Sequence, residues 1–346
     1  MVYTRSFLFG GWVLFAAGAF GQTGNTVFGA GYSSPVPINA APGQILNLMV
    51  AGVGAALTQR VTAPGFPLPD TLAGISVQLT QAATPQSVAA PILAVSPLST
   101  CPSGASIGST PCGRYTVVTV QIPFELVPAC QPTIEVCPSA TPIASFAYLV
   151  VSENGVPGGA IVLNAIADQV HVANLCDLDA SAGGGCANTP LITHADGSLV
   201  SSSSPAKVGE ELVIYALGLG ATNPAVPTGQ ATPTPAPAAE TVDTVSFNFQ
   251  LNAPPSRGLP APLLACAINA CPQRPAFSGL TPGSVGLYQV NFVVPSADYS
   301  FGCGGPIQSN FTVTIIGSTS LDGVGICVAA SGSTTASGAV RPVSPR

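Results

Sequence analysis

The chain has 346 residues, of which 47% are hydrophobic and 6% charged, and its 8 basic and 14 acidic side chains give a formal net charge of −6. So much apolar content excludes a disordered chain despite 38 Gly and 35 Pro, because it suffices to bury a core. Lys207 is the single lysine, and without a basic patch neither nucleic acid nor an anionic membrane is an expected partner.

The first predicted element is a leader. Arg5 precedes an apolar run from Phe7 to Phe20, and small residues (Ala17, Gly18, Ala19, Gly21) gather at its end. A short positive region, an apolar stretch and a small-residue cut site predict a secretory signal peptide over residues 1–21. A transmembrane anchor is the competing reading, but a run of about 14 residues falls short of the roughly 20 that span a bilayer. No later stretch is long and apolar enough to span. The expected mature protein is secreted or at the cell surface (extracellular), with no membrane span after signal cleavage.

Short β-branched runs follow, punctuated by Gly, Pro and Asn, at residues 44–50, 75–79, 115–122, 146–151, 160–165, 212–216, 245–251, 287–294, 310–316 and 325–328. Such spacing predicts an all-β sandwich or barrel. In the 287–294 run, alternation puts Tyr288, Val290, Phe292 and Val294 toward the core and Leu287, Gln289, Asn291 and Val293 outward. Tyr148 and Tyr215 also read as core, and His171 as a strand surface residue.

The runs repeat. Residues 41–48 (APGQILNL) resemble residues 207–214 (KVGEELVI), and each leads into a glycine-containing turn. Residues 74–79 pair with 245–251, 115–123 with 288–295, and Phe146–Leu163 with Phe311–Val328. The preserved order predicts one duplicated unit. The expected domains are 28–167 and 205–328, both immunoglobulin-like β-sandwiches. A linker of 168–204 joins them, and a disordered tail of 329–346 follows. Residues 232–237 (TPTPAP) read as a stiff polyproline-prone loop.

Ten cysteines behind a leader predict disulfides formed in an oxidising compartment. They fall as close neighbours: Cys101 and Cys112, Cys130 and Cys137, Cys176 and Cys186, Cys266 and Cys271, Cys303 and Cys327. Sequential pairing is the simplest connectivity, though the spacing does not prove it. Each staple would stabilise by about 2–3.5 kcal/mol in the chain-entropy model.

Two segments carry a family resemblance. One runs from His194-Ala195-Asp196-Gly197-Ser198-Leu199 through Pro205-Ala206-Lys207-Val208-Gly209-Glu210-Glu211-Leu212 to Tyr215-Ala216-Leu217-Gly218-Leu219-Gly220-Ala221-Thr222-Asn223-Pro224; the other is Phe277-Ser278-Gly279-Leu280-Thr281-Pro282-Gly283-Ser284-Val285-Gly286-Leu287-Tyr288-Gln289-Val290-Asn291. Together they resemble the uncharacterised Solibacter-type C-terminal domain of secreted acidobacterial proteins. The likeness is strongest over residues 190–320, with a fainter first copy. It implies an immunoglobulin-like sandwich in an exported protein and brings no catalytic residues with it. This chain departs from the family in its cysteine pairs.

Candidate chemistry is sparse. His194-x-Asp196-x-Ser198 holds the residue types of a hydrolase triad, but neighbours this close rarely reach triad geometry, no G-x-S-x-G elbow is present, and Asp-Gly is a turn signal. Asp177-x-Asp179-x-Ser181 is a weak calcium candidate that lacks a distal glutamate; solvated carboxylates are the competing reading. Glu153 with Asp168, or Glu210 with Glu211, could be offered as glycosidase acids, but carboxylates on strands more often face solvent. No catalytic residue, cofactor or metal is expected. The single tryptophan, Trp12, lies in the leader, so sugar stacking would fall to Tyr32, Tyr299 or Phe301. The sequence therefore predicts a non-enzymatic extracellular structural or adhesion protein. It would bind itself or other surface proteins, with self-assembly through edge strands. The alternative is a ligand-binding module, for polysaccharide.

Overall fold

The computed structural model describes residues 26–30, 38–81, 87–98, 115–129, 145–174, 177, 190–234, 239–242, 245–249, 273–294, 311–315 and 321–329. The expectations for the leader, the tail, Tyr32, Tyr299, Phe301, Asp179 and every cysteine but Cys327 lie outside these residues. Among the described residues no helix is long and apolar enough to cross a membrane.

Every named element is a strand. The first half holds β1 (Thr26–Ala30), β2 (Ile38–Ala40), β3 (Ile45–Ala51), β4 (Val61–Thr62), β5 (Thr71–Leu72), β6 (Ile75–Gln81), β7 (Ser87–Ala89), β8 (Ile92–Leu98), β9 (Tyr115–Gln121), β10 (Phe146–Glu153), β11 (Val156–Pro157) and β12 (Ile161–Ala165). The second holds β13 (His171–Val172), β14 (Ile192–His194), β15 (Glu211–Leu217), β16 (Thr222–Asn223), β17 (Glu240–Thr241), β18 (Val245–Phe249), β19 (Phe277–Leu280), β20 (Tyr288–Val293), β21 (Phe311–Ile315) and β22 (Leu321–Val324).

Each half folds into two sheets. In the first, one sheet runs β1-β3-β9-β8-β4 and the other β2-β12-β10-β6-β5. In the second, one runs β13-β15-β20-β19-β17-β16 and the other β18-β21-β22. The central pairings recur copy by copy. The β3–β9–β8 trio matches β15–β20–β19, and β6–β10–β12 matches β18–β21–β22. Even the parallel pairing of β2 with β12 returns, as a single bridge from Ala206 to Val328. The turns into β3 and β15 both use a glycine at positive φ, Gly43 at 74° and Gly209 at 80°. The repeat read from the sequence is thus a repeat of topology. The stretch expected as a linker contributes β13 and β14, both paired to β15.

One part of the repeat alignment changes. Phe146 is exposed whereas Phe311 is fully buried, so the two are not equivalent. Strand pairing gives the register. Ile75 lies opposite Glu153 and Leu79 opposite Leu149; Val245 lies opposite Ile315 and Phe249 opposite Phe311. Setting Ile75 against Val245 therefore sets Phe311 against Leu149. An odd shift along a strand exchanges its two faces.

Alternation then builds the cores. Along β20, Tyr288, Val290, Phe292 and Val294 are buried as expected, and Val293 is exposed. Phe247, Phe292 and Phe311 form an aromatic knot with ring centroids 4.7–5.7 Å apart. The first half has its own core around Leu46, Leu48, Val77, Val118, Val120 and Leu149.

A third, smaller cluster joins the halves: Ile45 packs with Ala173 and Leu217, flanked by Leu93, Leu191, Tyr215 and Leu287. Hydrogen bonds run beside it. Leu68 N donates to Gly229 O at 2.8 Å, Gly229 N to Gln121 Oε1 at 2.7 Å and Phe124 N to Thr228 Oγ1 at 2.9 Å. Backbones also approach closely here. A Cβ on Gly286 (φ +59°) would stand 2.5 Å from the Gly43 carbonyl oxygen, so only glycine fits without displacement.

Candidate functional site

The most concentrated charge among the described residues is buried at the junction of the halves. His171 on β13 lies between two aspartates, and all three are buried, which corrects the expectation of a surface histidine. Its Nδ1 is 2.9 Å from Asp322 Oδ2, and its Nε2 is 2.8 Å from Asp177 Oδ2. Backbone amides complete both carboxylates. Val172 N and Gly323 N donate to Asp322, and Asn174 N donates to Asp177. Burial alone would lower the imidazole pKa. The hydrogen bonds to Asp177 and Asp322, reinforced by their charges, outweigh it and hold His171 at about 9. Both ring nitrogens then donate, and the ring is an imidazolium at neutral pH.

This ion-paired set reaches across the junction. Asn47 on β3 donates from Nδ2 to the Asp177 carbonyl at 2.9 Å and is itself held by Thr119 Oγ1 at 2.6 Å. β13 of the second half, the segment around Asp177 and β3 of the first half are thereby tied together. Asp177 is buried, not solvated, and spends its Oδ2 on His171 and Asn174; Asp179 and Ser181, its companions in the calcium candidate, lie outside the described residues. Among the described residues no group of three or more His, Cys, Asp and Glu side chains could hold a metal ion.

The His194–Asp196–Ser198 segment is a capped turn. Ser198 donates both its amide and its hydroxyl to Asp196 Oδ1, at 2.9 and 2.6 Å. His194 instead faces Glu210, Nδ1 to Oε1 at 2.6 Å, and its Nε2 lies 3.1 Å from the Ser204 carbonyl. The serine hydroxyl thus points to the aspartate and the histidine to a different carboxylate. The Glu210 hydrogen bond raises the His194 pKa. Burial pushes Glu210 up, but His194 and the Lys207 amide outweigh it and leave its carboxyl below the usual range. Glu153 accepts the Gly54 amide at 2.9 Å, and Asp168 is buried. Cys327 is disulfide-bonded.

A different surface emerges on β10. Ala147, Leu149 and Val151 point inward, and Phe146 and Tyr148 point out, 39% and 42% exposed. This corrects the placement of Tyr148 in the core. The two rings meet edge to face, with centroids 6.1 Å apart and planes at 84°. Tyr148 lies opposite the exposed Val162 on one side and Thr80 on the other; Asn164 lies opposite Phe146. Flanking polar pairs border the rings. Thr80 Oγ1 and Ser87 Oγ are 2.6 Å apart, and Asn164 Nδ2 donates to Asn39 Oδ1 at 3.0 Å. The polar alternation of β6 (Ser76, Gln78, Thr80) is the sequence signal for this outward face; β10 has apolar residues on both faces and hides it.

No family model matches the chain, and no curated protein matches it. Among solved structures it is similar to the C-terminal domain of the AgI/II polypeptide BspA of Streptococcus agalactiae and to a second chain described as BspA_C_WT. Each is 10% identical, with 78% of this chain and 83% of that chain covered and a TM-score of 0.14.

Proposed function

We propose that the chain is a non-enzymatic extracellular structural or adhesion protein, built from two tandem immunoglobulin-like sandwiches that act as one stiff unit. The observation that carries this reading is the junction. A buried ion-paired histidine, a hydrophobic cluster and several inter-half hydrogen bonds oppose bending where a linker with a disulfide loop was expected. Inter-domain motion is the default unless the interface is large and apolar or otherwise tied, and a protein that holds surfaces together gains from losing that motion. The scarcity of charge suits an exported surface, and the resemblance over residues 190–320 agrees with it.

Adhesion is tested by coating beads with the oxidised protein and flowing them over a polysaccharide layer, a protein layer and a layer of the same chain. Retention on at least one surface is expected; retention on none overturns the reading. Sedimentation over a wide concentration range tests self-assembly. The longest edge strands are β1 and β18, and Phe247 of β18 already exchanges two backbone hydrogen bonds with Gln273, so growth through the described edges would start at β1.

A further inference from the structure

We infer that the outward face of the β2-β12-β10-β6-β5 sheet binds a neutral glycan, with the Phe146–Tyr148 corner seating one sugar ring. This names the partner for the adhesion reading and rests on it.

Three observations carry the inference. The first is exposure. Phe146, Tyr148 and Val162 are neighbours by strand register and stand 39–42% exposed on a sheet face. Contiguous exposed apolar surface rimmed by polar groups is a feature of ligand-binding sites. The second is charge. By strand alternation, the outward positions of β2, β12, β10 and β6 run from Asn39 through Asn164, Phe146, Tyr148 and Thr80 to Ser152, without one Asp, Glu, Lys, Arg or His. A charged polymer laid there would lose hydration and find no counter-charge. An uncharged partner meets no such penalty.

The third is the arrangement of donors and acceptors. A sugar ring has an apolar C–H face and a rim of hydroxyls. Here an aromatic surface is bordered by hydroxyls on one side (Thr80, Ser87) and amides on the other (Asn39, Asn164). Each of these groups keeps capacity beyond its one internal bond, since a hydroxyl offers one donor and two acceptors and an amide offers two of each. The rings make a corner, not a flat strip. One can lie under a sugar while the other walls its edge, so the site takes a single residue or a chain end. A second copy of this chain fits less well, because stable interfaces bury about 800 Å² per partner and three half-exposed side chains supply only a fraction of it.

The test uses the full oxidised chain. An array of neutral gluco-, manno-, galacto- and xylo-oligosaccharides and N-acetylglucosamine oligomers is probed beside sulfated and uronic-acid glycans. The responding oligosaccharide is then titrated in solution against the parent, Tyr148→Ala, Phe146→Ala and a distant exposed control, Val242→Ser. Binding to at least one neutral glycan is expected, little affected by salt, weakened at least about tenfold by either aromatic variant and unchanged by the control. Binding to no neutral glycan overturns the inference, as does affinity indifferent to Tyr148→Ala. Self-association lost in Tyr148→Ala would overturn it in favour of a chain–chain contact. If coated beads still adhere while these arms fail, the adhesion reading stands and this site falls.

Discussion

Replacing His171 by Ala tests the junction. The substitution removes the cation that lies between two buried carboxylates, and backbone amides continue to hold Asp177 and Asp322 in place. Two like charges would then face each other across the vacated space. Removing one partner of a buried ion pair costs about 3–5 kcal/mol. For a cooperative unit of roughly 150–250 residues, each kcal/mol moves the melting temperature by about 2–4 °C, so a drop of about 6–20 °C is expected by calorimetry. A cost under about 1 kcal/mol would show that the pair is solvated and that the junction does not depend on it.

The same ring makes a signed pH prediction. Its folded pKa of about 9 lies above the ordinary 6.5. A group raised in the folded state contributes stability that is fully present below 6.5 and is lost as pH rises through 9. The gap corresponds to about 3 kcal/mol at 1.36 kcal/mol per pH unit. His194 is also raised, by its bond to Glu210, and shifts stability in the same direction. Urea titrations from pH 6 to pH 10 therefore belong in the His194→Ala background. Asp322→Asn should flatten the slope, because it takes one of the two charges from the imidazolium. A flat profile in the parent would refute the reasoning.

Other substitutions sample different parts of the fold. Phe292→Ala opens the Phe247–Phe292–Phe311 knot and should cost about 3–5 kcal/mol in chemical denaturation. Gly286→Ala would place a Cβ 2.5 Å from the Gly43 carbonyl and 2.8 Å from Ile45 Cδ1 and should cost about 2–4 kcal/mol. Gly209→Ala, also at positive φ but with open space around it, should cost only about 1–2 kcal/mol; equal losses would deny the close approach at the junction. His194→Ala breaks a partly exposed pair and should cost less than about 1 kcal/mol, with bead retention unchanged.

The all-β class, many of the longer strands and the recurrence of the pattern were legible because they are local, but β8 and β19 were missed and the run expected at 325–328 is replaced by β22 at Leu321–Val324. Apolar alternation in β20, the glycines before β3 and β15 and the turn residues each sit within a few positions of what they determine. The functional features depend on register between distant segments. His171 finds one partner six residues on and the other 151 residues on. Nothing in Gln169-Val170-His171-Val172 announces an aspartate on β22. The ring's burial depends on two carboxylates brought from elsewhere.

Tyr148 shows the same limit from the other side. FAYLVVSE is apolar at both parities, so its faces cannot be assigned from the strand alone, and an alignment that equates Phe146 with Phe311 assigns them wrongly. The pairing with β6 decides it, because Gln78 and Thr80 share Tyr148's side of the sheet, and Val77 and Leu79 are buried with Leu149. Corrected register also separates the two copies. The residues of β21 that match Val150 and Ser152 are threonines, the buried Thr312 and the half-buried Thr314, and its phenylalanine packs into the aromatic knot. The second half places its aromatic residues in the core, and the first leaves a pair on the surface. The aromatic core thus lies in the second half and the exposed aromatic pair, the proposed glycan site, in the first, with Asn47 and the segment around Asp177 linking the two.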